Sequence, residues 1–237
     1  IRAGGGPPDG AGGPGAAILG PMASTGTQED SGRTWRGQSA EQRRADRRAR
    51  LIESGIELFG SRGYAHTPVK AVCEQAGLTE RYFYEAFDDR EGLLTAIYDQ
   101  LIREVREQTV AAMEAAEDDL FARLRVGLEA FFHALTRDPR RARIQEIEVV
   151  GVSEELERRR REAIHSFAGI IAEQVRRDPG WDPDRGIRLD VIAVGLVGSV
   201  NEQLIDYVLG DLEIDPADLL RHQSMLFTAM LGPLIAA

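Results

Sequence analysis

Residues 67–87 read TPVKAVCEQAGLTERYFYEAF. Thr67 followed by Pro68 is a helix-start signal, because threonine serves as an N-cap and proline's fixed φ and missing N–H suit the first turn. Val69, Val72 and Cys73 then supply one apolar face, and Gly77 stops the helix. Thr79 caps a second short helix whose Phe83 and Phe87, four residues apart, face a core. Two short helices joined by Ala76-Gly77-Leu78 have the layout of a helix-turn-helix, in which the first braces the second and the second enters a major groove. A purely structural corner between helices is the alternative.

The exposed chemistry favours the groove. A corner has no need for Arg81, Tyr82, Tyr84 and Arg90 on or beside so short a helix, whereas DNA requires groups that reach base edges and phosphates. Arg81 is expected to reach guanine O6 and N7, and Tyr82 a phosphate or a thymine methyl. Thr67 and Thr79 would offer cap hydroxyls and nearby amides to phosphates, and Lys70 and Arg90 would neutralise the backbone. Glu80 and Glu85 would repel phosphate unless they face cytosine or pair with arginine.

Working outward, Leu51, Gly55, Leu58 and Phe59 lie on one face at the i, i+4, i+7, i+8 spacing of a half-buried helix that Gly60 and Gly63 end. Asp88-Asp89 starts another with Leu93, Leu94, Ile97 and Leu101 as its stripe. Four helices are therefore predicted between Glu41 and about Gln108. The chain's formal charge of −10 argues against a nucleic-acid partner, but its distribution does not. Residues 33–90 carry +2 and the remainder −12, and Arg43, Arg44, Arg47, Arg48 and Arg50 crowd into one stretch opposed only by Asp46. Each of these arginines, taken singly, also fits a solvated helix start.

Beyond Gln108, helices are predicted near 117–136, 140–150, 153–177, 184–209 and 216–235, punctuated by Asp138-Pro139, Gly151, Asp178-Pro179-Gly180, Asp182-Pro183, Gly210 and Asp215-Pro216. No segment alternates as a strand, so the fold class is all-α. Residues 1–40, rich in Gly, Pro, Ser and Thr, read as a disordered tail, within which Met22 is a candidate start; its glycines lack the strand and helix that a phosphate loop needs. Cys73 is the only cysteine and the four histidines never fall at a ligand spacing, so neither a disulfide nor a metal is expected. No cofactor is expected either. No uninterrupted apolar run approaches the length of a membrane span, and the expectation is a soluble, cytoplasmic protein with no membrane partner. An enzyme is disfavoured: there is no Gly-x-Ser-x-Gly elbow, no paired metal histidines and no nucleotide loop after a strand.

The stretch Leu58-Phe59 … Gly63-Tyr64 … Thr67 … Val72-Cys73 … Ala76-Gly77-Leu78-Thr79 … Phe83-Tyr84 … Phe87 … Arg90-Glu91 … Leu94 resembles the N-terminal signature of TetR-family regulators over residues 52–97. The resemblance implies a three-helix DNA-binding domain (41–95) followed by a helical ligand-sensing and dimerisation domain (96–237). It places Thr67, Lys70, Thr79, Tyr82, Tyr84 and Arg90 where the family touches its operator. Cys73 stands in place of the usual alanine, Arg81 in place of a frequent glycine, and Glu85-Ala86 in place of the usual histidine pair, so the operator sequence does not carry over.

The family pattern also implies a homodimer through the last two helices, which contain Val191, Val194, Gly195, Val197, Gly198 and Leu204, then Leu219, Leu220, Leu226, Phe227 and Leu231. An intramolecular core is the competing reading of those residues. A dimer would place two reading helices about 34 Å apart on a palindromic operator. The family usually encloses an effector cavity, for which Phe131, His133, Glu146, Trp181 and Asn201 are the candidates here, His133 also fitting a core or surface position and Trp181 loop packing. Arg158–Arg161, following Glu154, Glu155 and Glu157, reads as a solvated face of i, i+4 pairs. The implied mechanism is repression by occupancy, relieved when a small molecule favours a state with the wrong head spacing, with the helix from Asp89 to Gln108 as lever. A helical module that binds protein instead of DNA would suit the acidic C-terminal half.

Overall fold

The computed structural model describes residues 39–235, and the tail expected over residues 1–40 lies almost entirely outside them. Among the described residues there are nine α-helices and no strands. Helix α1 (Ala40–Arg62) begins with a reciprocal cap: Ser39 Oγ accepts from the Gln42 amide at 3.0 Å while the Gln42 side chain accepts from the Ser39 amide at 2.8 Å. Helices α2 (Val69–Ala76) and α3 (Glu80–Tyr84) follow, then α4 (Arg90–Glu114), which Asp89 caps. Helix α4 runs beyond the expected Gln108 because Val105, Thr109 and Met113 continue its buried stripe, and Thr109 donates its hydroxyl back to the Val105 carbonyl at 2.8 Å.

Helices α5 (Leu120–Thr136), α7 (Glu154–Arg176) and α9 (Pro216–Ile235) lie close to their predicted ranges. Two segments differ. The single helix predicted at 140–150 is instead a short α6 (Pro139–Arg143) that widens into a π-helical turn, Ile144–Glu148. Residues five apart stand roughly 140° apart around an α-helix, and a wider turn narrows that angle. Ile144 and Val149 are thereby both fully buried. The helix predicted to start at 184 starts at Leu189 (α8, Leu189–Leu209), because Gly186 adopts φ +71° and ends a 3-10 turn at Pro183–Arg185.

Two apolar cores organise the helices. The first gathers Leu51, Phe59, Val72, Phe83, Phe87 and Leu94 from α1–α4 and is completed by Ile144, Val149 and Leu156 from the π turn and α7. The second lies among α4, α5, α7, α8 and α9, around Leu124, Phe132, Val175, Leu196 and Leu231. Helix α1 also meets α6 backbone to backbone: a Cβ on Gly60 would lie 2.7 Å from the Arg140 carbonyl oxygen. Helix α8 contains no uninterrupted apolar run, yet it is long and apolar on average. By length and composition it could cross a membrane, with mean hydropathy 1.2 over its most apolar stretch. Gly195, Gly198, Ser199 and Asn201 interrupt the run.

Candidate DNA interface and effector cavity

The turn between α2 and α3 is fixed at its backbone. Gly77 takes φ +61°, a conformation that costs a side-chain-bearing residue, and the Leu78 amide donates to the Cys73 carbonyl at 2.9 Å. Arg50 of α1 reaches across and donates to the carbonyls of Ala76 and Gly77. Nothing in the spacing of the basic cluster set Arg50 apart, because this clamp joins positions 26 residues distant.

Two neighbours of Arg50 also brace the reading helix. The Arg47 guanidinium lies 4.4 Å above the Tyr82 ring and 3.8 Å from Glu85, while Arg48 lies over Phe87. Arg81 donates to Glu85 at 3.1 Å, so Glu85 is neutralised from two sides, as a carboxylate beside phosphate requires. Arg81 itself remains 84% exposed. Thr79, Glu80 and Tyr84 are exposed on the same short helix, with Tyr82 half-covered by Arg47. Thr79 makes no side-chain cap bond. Lys70 is exposed and pairs loosely with Glu74 at 3.9 Å, and Arg43 and Arg44 are exposed on the first turns of α1.

Two expected phosphate contacts lie elsewhere. Thr67 is 1% exposed, and its hydroxyl donates to the Gly63 carbonyl at 2.8 Å instead of capping α2, whose N-cap is Pro68. Its polar atom is satisfied internally, so it braces the α1–α2 loop and does not face a phosphate. Arg90 is half-buried: it stacks 4.2 Å over Tyr64 and donates to the carbonyls of Tyr64 and Thr67 at 3.1 and 3.0 Å. Burial raises the Cys73 thiol, with Glu80 and Glu74 adding to the shift, which makes it an inert core group.

Two adjoining cavities occupy the second core. One, of about 40 Å³, is almost wholly apolar and reaches from Met113 and Leu128 to Phe227. The other, of about 30 Å³, is lined by Tyr98, Phe131, Gln145, Glu146, Arg160 and Asn201 among others. They share Phe131 and Phe167, whose rings meet edge to face at 5.2 Å. Of the expected effector residues, Phe131, Glu146 and Asn201 come together here. His133 does not: it is exposed on the outer face of α5. Trp181 packs in the α7–α8 loop at the edge of the core and lines neither cavity. Gln145 and Arg160 are the polar groups sequence reasoning missed. The second hid within the arginine run, of which Arg158 and Arg159 do pair with Glu155 on the surface.

Burial pushes the Glu146 carboxyl up to about 7, with the Arg160 charge pulling back. Two residues further along the same turn, Glu148 accepts from the Tyr64 amide at 2.6 Å and from Arg143 at 2.8 Å. One five-residue turn thus lines the cavity on one side and holds the α1–α2 loop on the other.

A braced helix-turn-helix on an all-helical body defines the class of helix-turn-helix transcription regulators. Residues 51–97 match the model for bacterial regulatory proteins of the tetR family. Among curated relatives, the transcriptional activator FasR of Mycolicibacterium smegmatis is 25% identical over 73% of this chain and 77% of its own length. The regulator TtgR of Pseudomonas putida is 33% identical over 42% of this chain and 48% of TtgR. Among solved structures, the fatty acid degradation regulator FadR of Bacillus halodurans shares the fold, with a TM-score of 0.69 at 18% identity, covering 81% of this chain and 97% of FadR. Residues 51–97 thus carry the DNA-binding domain of tetR-family transcriptional regulators, and the described helices share the fold of FadR.

Proposed function

We propose that residues 41–95 form an operator-reading head and residues 96–237 a body that pairs two copies and takes up a small molecule. The reading surface is Thr79, Glu80, Arg81, Tyr82 and Tyr84, flanked by Lys70, Arg43, Arg44 and Arg47, with Arg90 holding the loop behind it. The observation that carries this is the exposed Arg81 on a helix braced by Arg47, behind a turn clamped by Arg50. The body pairs through α8 and α9, on which Val191, Met225 and Met230 are exposed and a Cβ on Gly195 or Gly198 would meet nothing. Such a face lets helices approach closely and explains why α8 is apolar on more than its buried side.

The effector occupies the paired cavities, and its binding changes operator affinity through the π turn as well as α4. Release of a repressor from a palindromic operator is the reading adopted. FasR is named an activator, which makes enhanced promoter use the second reading. A gel-shift with DNA flanking the chain's own gene, at two salt concentrations, tests the head. Specific retention lost in an Arg81→Ala, Tyr82→Ala double variant supports it, and failure to select any sequence from random DNA defeats it. Transcription in vitro from the retained fragment separates repression from activation.

A further inference from the structure

The polar end of the second cavity holds a buried acceptor that lacks a donor. Gln145 is 3% exposed, and its Oε1 has no hydrogen-bond partner. Its Nε2 donates a long 3.4 Å bond to the Arg141 carbonyl, and reversing the amide would set oxygen against oxygen there, so Oε1 is the atom left to the cavity. The neighbouring Glu146 is buried and makes no hydrogen bond or ion pair among the described residues. Arg160, the cation lining this end, is already engaged by Glu157 at 3.1 Å. Buried acceptors left unmet are costly, and native proteins leave few of them.

We propose that this end receives the head of an elongated ligand, that the head is a hydrogen-bond donor, either hydroxyl or ammonium, given to Gln145 Oε1 and the Glu146 carboxyl, and that the apolar body passes Phe131 and Phe167 toward Phe227. The proposal rests on the effector-cavity reading above and names its ligand class. A carboxylate or phosphate head would set lone pairs against Gln145 Oε1 and against an ionised Glu146, with Arg160 alone to favour it. The groups beside Glu146 are Arg160 from α7, Tyr98 from α4 and the uncharged Asn201 from α8. Burial, foremost, also raises the Tyr98 phenol, which therefore stays protonated and adds no charge. An ammonium head ionises Glu146, so it binds more tightly as pH rises through about 7 and releases a proton. A hydroxyl head meets the neutral acid and gains nothing over the same interval.

Isothermal titration of the full chain with decan-1-ol, decylamine and decanoate at pH 6 and pH 8 tests this. The alcohol or the amine should bind roughly tenfold more tightly than decanoate, the factor of one net hydrogen bond. The pH dependence tells the two donors apart. Gln145→Leu should abolish that preference while leaving the ligand-free melting temperature unchanged or higher; a marked fall would make Gln145 a structural residue and overturn the proposal. Tighter binding of decanoate, lost in Arg160→Gln, would overturn the donor reading and leave the cavity reading standing. No binding of any of the three probes by folded protein would overturn both.

Discussion

At the scale of single residues, the arginines that look alike in sequence do different work. Arg81 gives only its Nε to Glu85 and stays 84% exposed, within reach of a base edge, whereas Arg47, Arg50 and Arg90 spend their donors on a ring, a carboxylate and carbonyls. Arg81→Ala should therefore weaken specific binding by about 1–3 kcal/mol and relax preference at one base position, measured by gel-shift across single-base operator variants. Thr67→Val should instead lower stability by about 1–2 kcal/mol in denaturant melts, because the Gly63 carbonyl loses its buried donor, without altering the salt slope of DNA binding. Glu146 carries a pH signature. Its folded value near 7 lies above its ordinary 4.5, so the folded state binds more protons between them. Stability is then greatest below about pH 4.5 as far as this group is concerned, and falls as pH rises to about 7, by on the order of 3 kcal/mol. Glu146→Gln should flatten that dependence and raise the pH 8 melting temperature, read by calorimetry.

At the scale of elements, the π turn joins the cavity to the α1–α2 loop. Gln145 and Glu146 face one way, and Ile144, Glu148 and Val149 secure the other. The contact is close enough to be brittle. Gly60→Ala would press a methyl against the Arg140 backbone, which cannot yield as a side chain can, and should cost about 1–3 kcal/mol by thermal melting. Glu148→Ala leaves the Tyr64 amide unpaired. It should reduce the change in DNA affinity on ligand binding more than the ligand-free affinity itself, compared by titration with and without ligand. Equal losses in both would place the coupling elsewhere, along α4.

For the whole molecule, the exposed apolar face of α8 and α9 sets the expected assembly. Met225→Glu with Met230→Glu puts charge on that face and should convert a dimer to monomers in analytical ultracentrifugation. Specific DNA retention should fall with it, because a single short helix reads too few bases. An unchanged sedimentation coefficient would move the interface to another surface.

The reading helix, its turn glycine and the core phenylalanines were legible in the sequence, because caps, glycines and i, i+4 spacings are local signals set by backbone geometry. The all-helical body was legible for the same reason. What only the tertiary structure decided is the partner of each polar side chain. Thr67 turns inward, Arg50 clamps a turn far along the chain, and Arg160 leaves its run to line a cavity. The π turn belongs to the same category: its widening answers the demand that Ile144 and Val149 enter a core built largely by other helices, which no local pattern encodes.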